Sequence, residues 1–215
     1  MRHFILFFFL LFFVGNCFLY AQNKKDSNGL KQGKWVYLGA DRILSGYGAN
    51  TKIEEGNYTN GRKTGEWIKY HFDGKTIKLK GNYVNNRPEG NYTRYYSSGV
   101  IREKGSFNNN EYKGELVRYH KNGQEAYRAQ FNDKGEEMGL VKHYYKNGQV
   151  EMEYTKIDGK LSDKITTYFK NGKVKSVQLV QAGKLGKKTK NTAEKKFNDE
   201  KVYKDEDPPK TTNPK

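Results

Sequence analysis

The chain has 215 residues, with 40 Lys and Arg against 24 Asp and Glu, and a formal net charge of +16 at pH 7. Its one cysteine, Cys17, falls in an apolar N-terminal stretch, so the rest of the chain forms neither disulfides nor a thiol active site. The charge favours an anionic partner, although the many Lys, Asn, Tyr and Phe residues also suit a compositional bias of the source.

A secretory signal is predicted over residues 1–21. A basic start is followed by an apolar run at residues 4–14 and by Leu19-Tyr20-Ala21, a tripeptide that suits signal-peptidase cleavage before Gln22. We therefore expect an exported protein that is periplasmic, held in the outer envelope or secreted, with no transmembrane span once the signal is removed. Export also makes nucleic acid the least favoured of the anionic partners.

Two other fates of the N-terminal segment stay open. Its apolar stretch extends to about 18 residues, close to the length of a membrane-spanning helix, which is compatible with an uncleaved anchor. Residues 14–17 loosely resemble a bacterial lipobox, which would place a lipid anchor on Cys17. Residues 22–32 are predicted to be a linker.

Tandem repeats of about 24 residues occupy residues 33–185. Each repeat has two glycines nine positions apart, and in the fifth repeat Asp163 stands in the first of these slots. Between the slots one column is always Tyr, and the column three places earlier is apolar. The Tyr column consists of Tyr70, Tyr95, Tyr119, Tyr144 and Tyr168.

Each repeat is predicted to be a β-hairpin. The segment between the two slots is rich in aromatic and β-branched residues, and it ends on Asp-Gly, Ser-Gly or Asn-Gly, dipeptides that supply the positive φ of tight hairpin turns. Connections of a few residues force neighbouring strands to be antiparallel. The expected fold is all-β, an elongated, twisted antiparallel meander of stacked hairpins.

The ends of the array depart from this pattern. A partial repeat at residues 33–37 and 55–58 opens the array, and residues 39–52 form an insertion within it. The small residue of the returning strand is Gly81, then Gly105 and Ala129, after which the column is no longer small. Residues 186–215 form a charged, Lys-rich tail that we expect to be disordered.

The spacing Tyr70-x-x-x-Gly74, with Asn60-Gly61 and Gly65 before it, resembles the MORN repeat family in its bacterial variant, over roughly residues 30–185. The resemblance implies an elongated twisted β-sheet that serves as a scaffold and binds phospholipid or protein. Some bacterial members are labelled antitoxins of toxin–antitoxin pairs. A signal peptide argues against that label, because an antitoxin meets its toxin in the cytoplasm unless the toxin is exported.

No catalytic, cofactor or metal site is predicted. His71 and His120 occupy one column two repeats apart, about 19 Å at the usual strand spacing, and His143 is about 10 Å from His120. The chain contains neither a Gly-x-Ser-x-Gly motif nor a phosphate-binding loop. Adjacent carboxylates such as Glu54 and Glu55 point apart on a strand and are expected to solvate the surface.

One face of the sheet is the predicted partner surface. A basic column lies one residue before the Tyr column, so the two point to opposite faces, and the basic column shares its face with the apolar column. The surface consists of Trp67, Lys69, Tyr92, Arg94, Leu116 and Arg118. Such a face suits a polyanion, and it equally suits cationic stems that cover an apolar stripe.

The Tyr column has two interpretations as well. It either packs against the backbone of a thin sheet, which is the structural role, or forms an aromatic ladder that grips headgroups or sugars.

The predicted function is that of an exported, non-catalytic binding or scaffold module. Its expected partner is a protein or an anionic envelope component, lipid or glycan. Peripheral attachment to an anionic membrane surface and an antitoxin-like or immunity-like role are the alternatives.

Overall fold

The computed structural model describes residues 22–42, 46–181 and 184–190, and nearly all of them form β-structure. A three-residue 3-10 turn, Gly39–Asp41, is the single helical element in these ranges. The strands are β1 (Lys24–Lys25), β2 (Lys31–Leu38), β3 (Lys52–Thr59), β4 (Arg62–Tyr70), β5 (Ile77–Val84), β6 (Arg87–Tyr95), β7 (Ile101–Asn108), β8 (Glu111–Tyr119), β9 (Glu125–Phe131), β10 (Glu137–Tyr144), β11 (Val150–Ile157), β12 (Lys160–Tyr168), β13 (Val174–Gln181) and β14 (Lys184–Lys190). The predicted signal, its alternatives at Cys17 and residues 191–215 of the tail lie outside the described residues.

The strands follow one another in the sheet in chain order, from β1 to β14. Neighbouring strands are antiparallel, which confirms the predicted all-β meander of hairpins. The chain divides into two compact units. Of the described residues, the first comprises those from 22 to 100 with Phe107–Asn110, and the second comprises Ile101–Ser106 with those from 111 to 190.

The two glycines of each repeat have different structural roles. The second, such as Gly123, has φ +84° and closes the hairpin turn, where its N–H donates to the carbonyl of His120 at 2.9 Å. The first, such as Gly65 at φ +65°, lies where the register slips, since one residue of β3, Gly56, faces residues 65–67 of β4. This is a β-bulge whose left-handed residue favours Gly and tolerates Asp. Asp163 occupies the same position at φ 65°, which explains the substitution in the fifth repeat.

The core of the first unit lies between aromatic rings and strand backbone. Trp35, Tyr37, Tyr58 and Trp67 belong to its buried cluster, and the Tyr58 and Trp67 rings meet edge to face at 5.1 Å. Among the described residues of the second unit, the buried apolar side chains come from the apolar column and its neighbours, and they are Leu116, Val117, Tyr127, Ala129 and Val141. In each unit the buried apolar side chains thus pack against one another and against the backbone of neighbouring strands.

Strands extend into two segments that were predicted to lie outside the repeats. The tail was expected to begin at residue 186, but β14 continues to residue 190, where Thr189 Oγ1 donates to the Val177 carbonyl at 2.8 Å. Its exposed lysines suggested disorder. The hydrogen bonds that pair β14 with β13, however, are made by the backbone and do not depend on the side chains. The predicted linker at residues 22–32 contains β1 and the start of β2, joined by a turn in which Asp26 accepts two backbone N–H bonds.

Candidate functional site

The apolar half of the predicted partner surface lies in the core. Trp67, Tyr92 and Leu116 are 0%, 5% and 1% exposed. Small residues on the neighbouring strand permit this burial, because a Cβ at Gly56 would lie 2.2 Å from the Trp67 ring and one at Gly81 would lie 2.9 Å from the Tyr92 Cβ. The expectation that this column forms open surface is therefore corrected. In each unit we call this side of the sheet the apolar face and the opposite side the tyrosine face.

Two arginines of the basic column, Arg94 and Arg118, lie on the apolar face. The Arg94 guanidinium is 5.2 Å from the centre of the Tyr92 ring, and that of Arg118 is 4.9 Å from the Tyr127 ring. Arg118 also donates from Nε to Glu103 at 2.8 Å, and this carboxylate is almost completely buried. Burial acts to lower the pKa of Arg118, but the bond and charge of Glu103 raise it overall. Lys69, on the same face, is half-buried.

A buried carboxylate that the sequence analysis missed lies on the apolar face of the first unit. Glu54 is 1% exposed and bonds Lys63 Nζ at 3.0 Å and Arg42 at 2.5 Å. Lys63 Nζ also lies 3.9 Å from the centre of the Trp67 ring. Burial lowers the pKa of Lys63, partly offset by Glu54. Glu54 was expected to solvate the surface, and it is instead the centre of a buried charge cluster.

The tyrosine face pairs its tyrosines with carboxylates. Tyr70, which is buried, donates its hydroxyl to Glu55, and Tyr168 donates to Glu153 at 2.5 Å. This bond, with burial, raises the pKa of Tyr168 to about 12. Burial disfavours the charged form of Glu55, but bonds from Tyr70 and Lys52 outweigh it and lower its pKa overall. The Tyr column thus ties strands together, which supports its structural interpretation.

Two hairpins of the sheet match a known family. The model of the MORN repeat variant matches residues 88–109 and 139–155. The first match spans β6 to β7 and the second spans most of β10 and β11, so each covers a strand pair with its hairpin turn. MORN repeats are in general binding or scaffold modules. No curated protein matches the chain.

Side chains at the hairpin turns connect one hairpin repeat to the next. The ring Nε2 of His71 lies 3.1 Å from the carbonyl oxygen of Tyr95, and that of His120 lies 2.8 Å from the carbonyl oxygen of Tyr144. The hydroxyl of Tyr145 donates to the carbonyl oxygen of Tyr168 at 2.8 Å. In the insertion, the Tyr47 hydroxyl donates to the Tyr70 carbonyl oxygen at 2.8 Å. This is the same kind of contact, from a ring before the repeat to the Tyr column of the first full repeat. The histidines therefore have structural partners in the strand ladder.

Residues 22–42, 46–181 and 184–190 offer neither a metal-binding cluster nor a membrane-spanning helix. No group of three or more His, Cys, Asp or Glu residues within them is placed to hold a metal ion. Nor do they contain a helix with the length and apolar character to cross a bilayer.

Proposed function

We propose that this chain is an exported, non-catalytic module that binds or scaffolds a protein or an envelope component. The observation that supports the proposal most is the repeated hairpin itself, which presents the same side-chain types at regular intervals along a sheet. The match to the MORN repeat variant supports the same class of function. Export is proposed on the N-terminal sequence alone.

The cations of the apolar face are the proposed contacts for an anionic component. Lys69 and Arg94 lie on this face in the first unit, while Arg118 lies on it in the second. The Arg118 side chain keeps 45% of its surface exposed despite its bond to Glu103. The buried rings below hold these cations in place and are not themselves the contact.

Capture from an envelope extract tests the proposal. The full chain serves as bait beside a Lys69→Gln/Arg94→Gln variant, with Lys75→Gln/Lys78→Gln as the matched control, because both control lysines are exposed. We expect the full chain and the control to retain the same component and the first variant to lose it. Capture of nothing above background by the unmodified chain would contradict a binding function. Circular dichroism confirms that each variant is folded.

A further inference from the structure

The last strands of the second unit have a net positive charge that is not balanced by ion pairs within the described residues. Residues 157–190 contain nine lysines and two aspartates, a net charge of +7 within the total of +16. Earlier in the same unit, Lys142 and Lys156 each lie within 4 Å of a glutamate. Among the described residues, no carboxylate lies within 4 Å of five exposed lysines in the last strands, namely Lys160, Lys164, Lys184, Lys187 and Lys188.

These lysines surround the edge of the sheet. β14 is the last strand in the sheet order, so one of its sides pairs with β13 and the other has no strand partner within the described residues. An edge strand presents a row of backbone N–H and C=O groups that can pair with another extended segment. β14 has seven residues, and its register with β13 shifts between Leu185 and Lys188, beyond which residues 188–190 pair regularly with β13.

A second copy of this chain does not suit the edge. Two β14 strands side by side would bring lysines opposite lysines, and β1, the first strand in the sheet order, is Lys24-Lys25. Like charges opposite one another destabilise a strand pair. Lysines at an edge also discourage aggregation. That role does not account for Lys160 and Lys164, which lie two strands from the edge, on β12.

The surroundings of the edge favour an extended acidic segment. Consecutive residues of a strand point to opposite faces, so Lys187 and Lys188 offer one ammonium group to each face of an added strand. Leu179 and Leu185, 51% and 53% exposed, add apolar contact area beside them. Acidic side chains at successive positions of the partner would meet lysines on both faces, while its backbone pairs with β14.

We propose that β14 binds an acidic, extended peptide segment of a partner protein by strand addition. Backbone hydrogen bonds to the side of β14 that has no strand partner within the described residues supply affinity, and Lys187 and Lys188 select for carboxylates. The inference rests on the proposed binding function and names the class of partner.

Fluorescence anisotropy with a labelled peptide of alternating Glu-Glu and Thr-Thr pairs tests this, because each Glu pair presents one carboxylate to each face of the added strand. The Lys187→Glu/Lys188→Glu variant of the full chain should bind at least about tenfold more weakly, because two attractive charges become repulsive. The Lys75→Glu/Lys78→Glu control, with the same charge change in the first unit, should bind within about twofold of the unmodified chain. A peptide with N-methyl groups at alternate residues should lose binding, since it cannot complete the ladder.

Several results would overturn the proposal. Equal binding of the N-methylated peptide would mean simple attraction of a polyanion, and equal binding by the edge variant would mean another site. If polyuronate displaces the labelled peptide at a lower concentration of negative charge than unlabelled peptide does, the edge binds a glycan. If vesicles of anionic lipid do so, the edge binds a membrane.

Two further controls separate the possible failures. If the charge-reversed variant does not fold by circular dichroism, Lys187→Gln/Lys188→Gln replaces it, with the same expected direction. If the unmodified chain captures an envelope component while the acidic peptide does not bind, the edge proposal fails and the binding function stands. If neither binds, both fail.

Discussion

The contact between Trp67 and Gly56 predicts a large effect from one added methyl group. A Cβ at Gly56 would lie 2.2 Å and 2.4 Å from two indole carbons of a ring that is fully buried. Carbon atoms pack at about 3.5–4.0 Å, so the ring would have to move by more than about 1 Å. Overpacking of a core costs about 1–3 kcal/mol, and we expect Gly56→Ala to lower the free energy of unfolding by about 3 kcal/mol.

Urea denaturation followed by far-ultraviolet circular dichroism measures this change. Gly65→Ala is the matched control, because no atom lies within 4 Å of its added Cβ and only the left-handed φ of +65° opposes it, at about 1–2 kcal/mol. In a Trp67→Leu background the cost of Gly56→Ala should fall below about 1 kcal/mol, since the ring is gone. A Gly56→Ala protein as stable as the unmodified chain, or a cost unchanged in that background, would refute the packing described here.

Three further predictions concern the charged and polar contacts. Glu54→Gln should lower the free energy of unfolding, measured by urea denaturation, by about 3 kcal/mol, because it breaks a buried ion cluster. Glu66→Gln, in an exposed pair, should lower it by less than about 1 kcal/mol. Equal costs for the two variants would contradict the burial of Glu54. Because the pKa of Glu55 is lowered in the folded state, its carboxylate contributes stability that is present above about pH 4.5 and is lost as the pH falls. The melting temperature should therefore drop between about pH 5 and pH 3, and this drop should be smaller in Glu55→Gln. His120→Phe should cost about 1 kcal/mol and accelerate amide exchange around Tyr144, with unchanged exchange as the contrary result.

The hairpin repeat was predictable from local chemistry. Gly at the turn and the alternation of side chains along each strand depend on neighbours a few residues away, so the turn at Gly123 and the antiparallel pairing follow from sequence. The alternation also separates the basic and tyrosine columns correctly onto opposite faces.

What the sequence analysis missed is that the apolar face also buries its side chains. Alternation defines two faces, but burial of Trp67 depends on a glycine of the neighbouring strand, Gly56, which a bulge places under the ring. The same register brings Glu54 beside Lys63, nine residues away. The small residue of each returning strand, such as Gly81 or Ala129, was the available signal, because it lies opposite the apolar column of the neighbouring strand. The length of β14 was missed because composition describes side chains, whereas a strand is held by its backbone.

Photo-crosslinking in cells tests the central claim, that this sheet functions by binding. A photoreactive side chain replaces Thr189 at the sheet edge, Arg94 on the apolar face or, as the control, Lys75 at a hairpin turn. We predict a discrete adduct of higher mass from Thr189 or Arg94 and none from Lys75. Absence of adducts from all three positions, or the same adducts from all three, would contradict the claim.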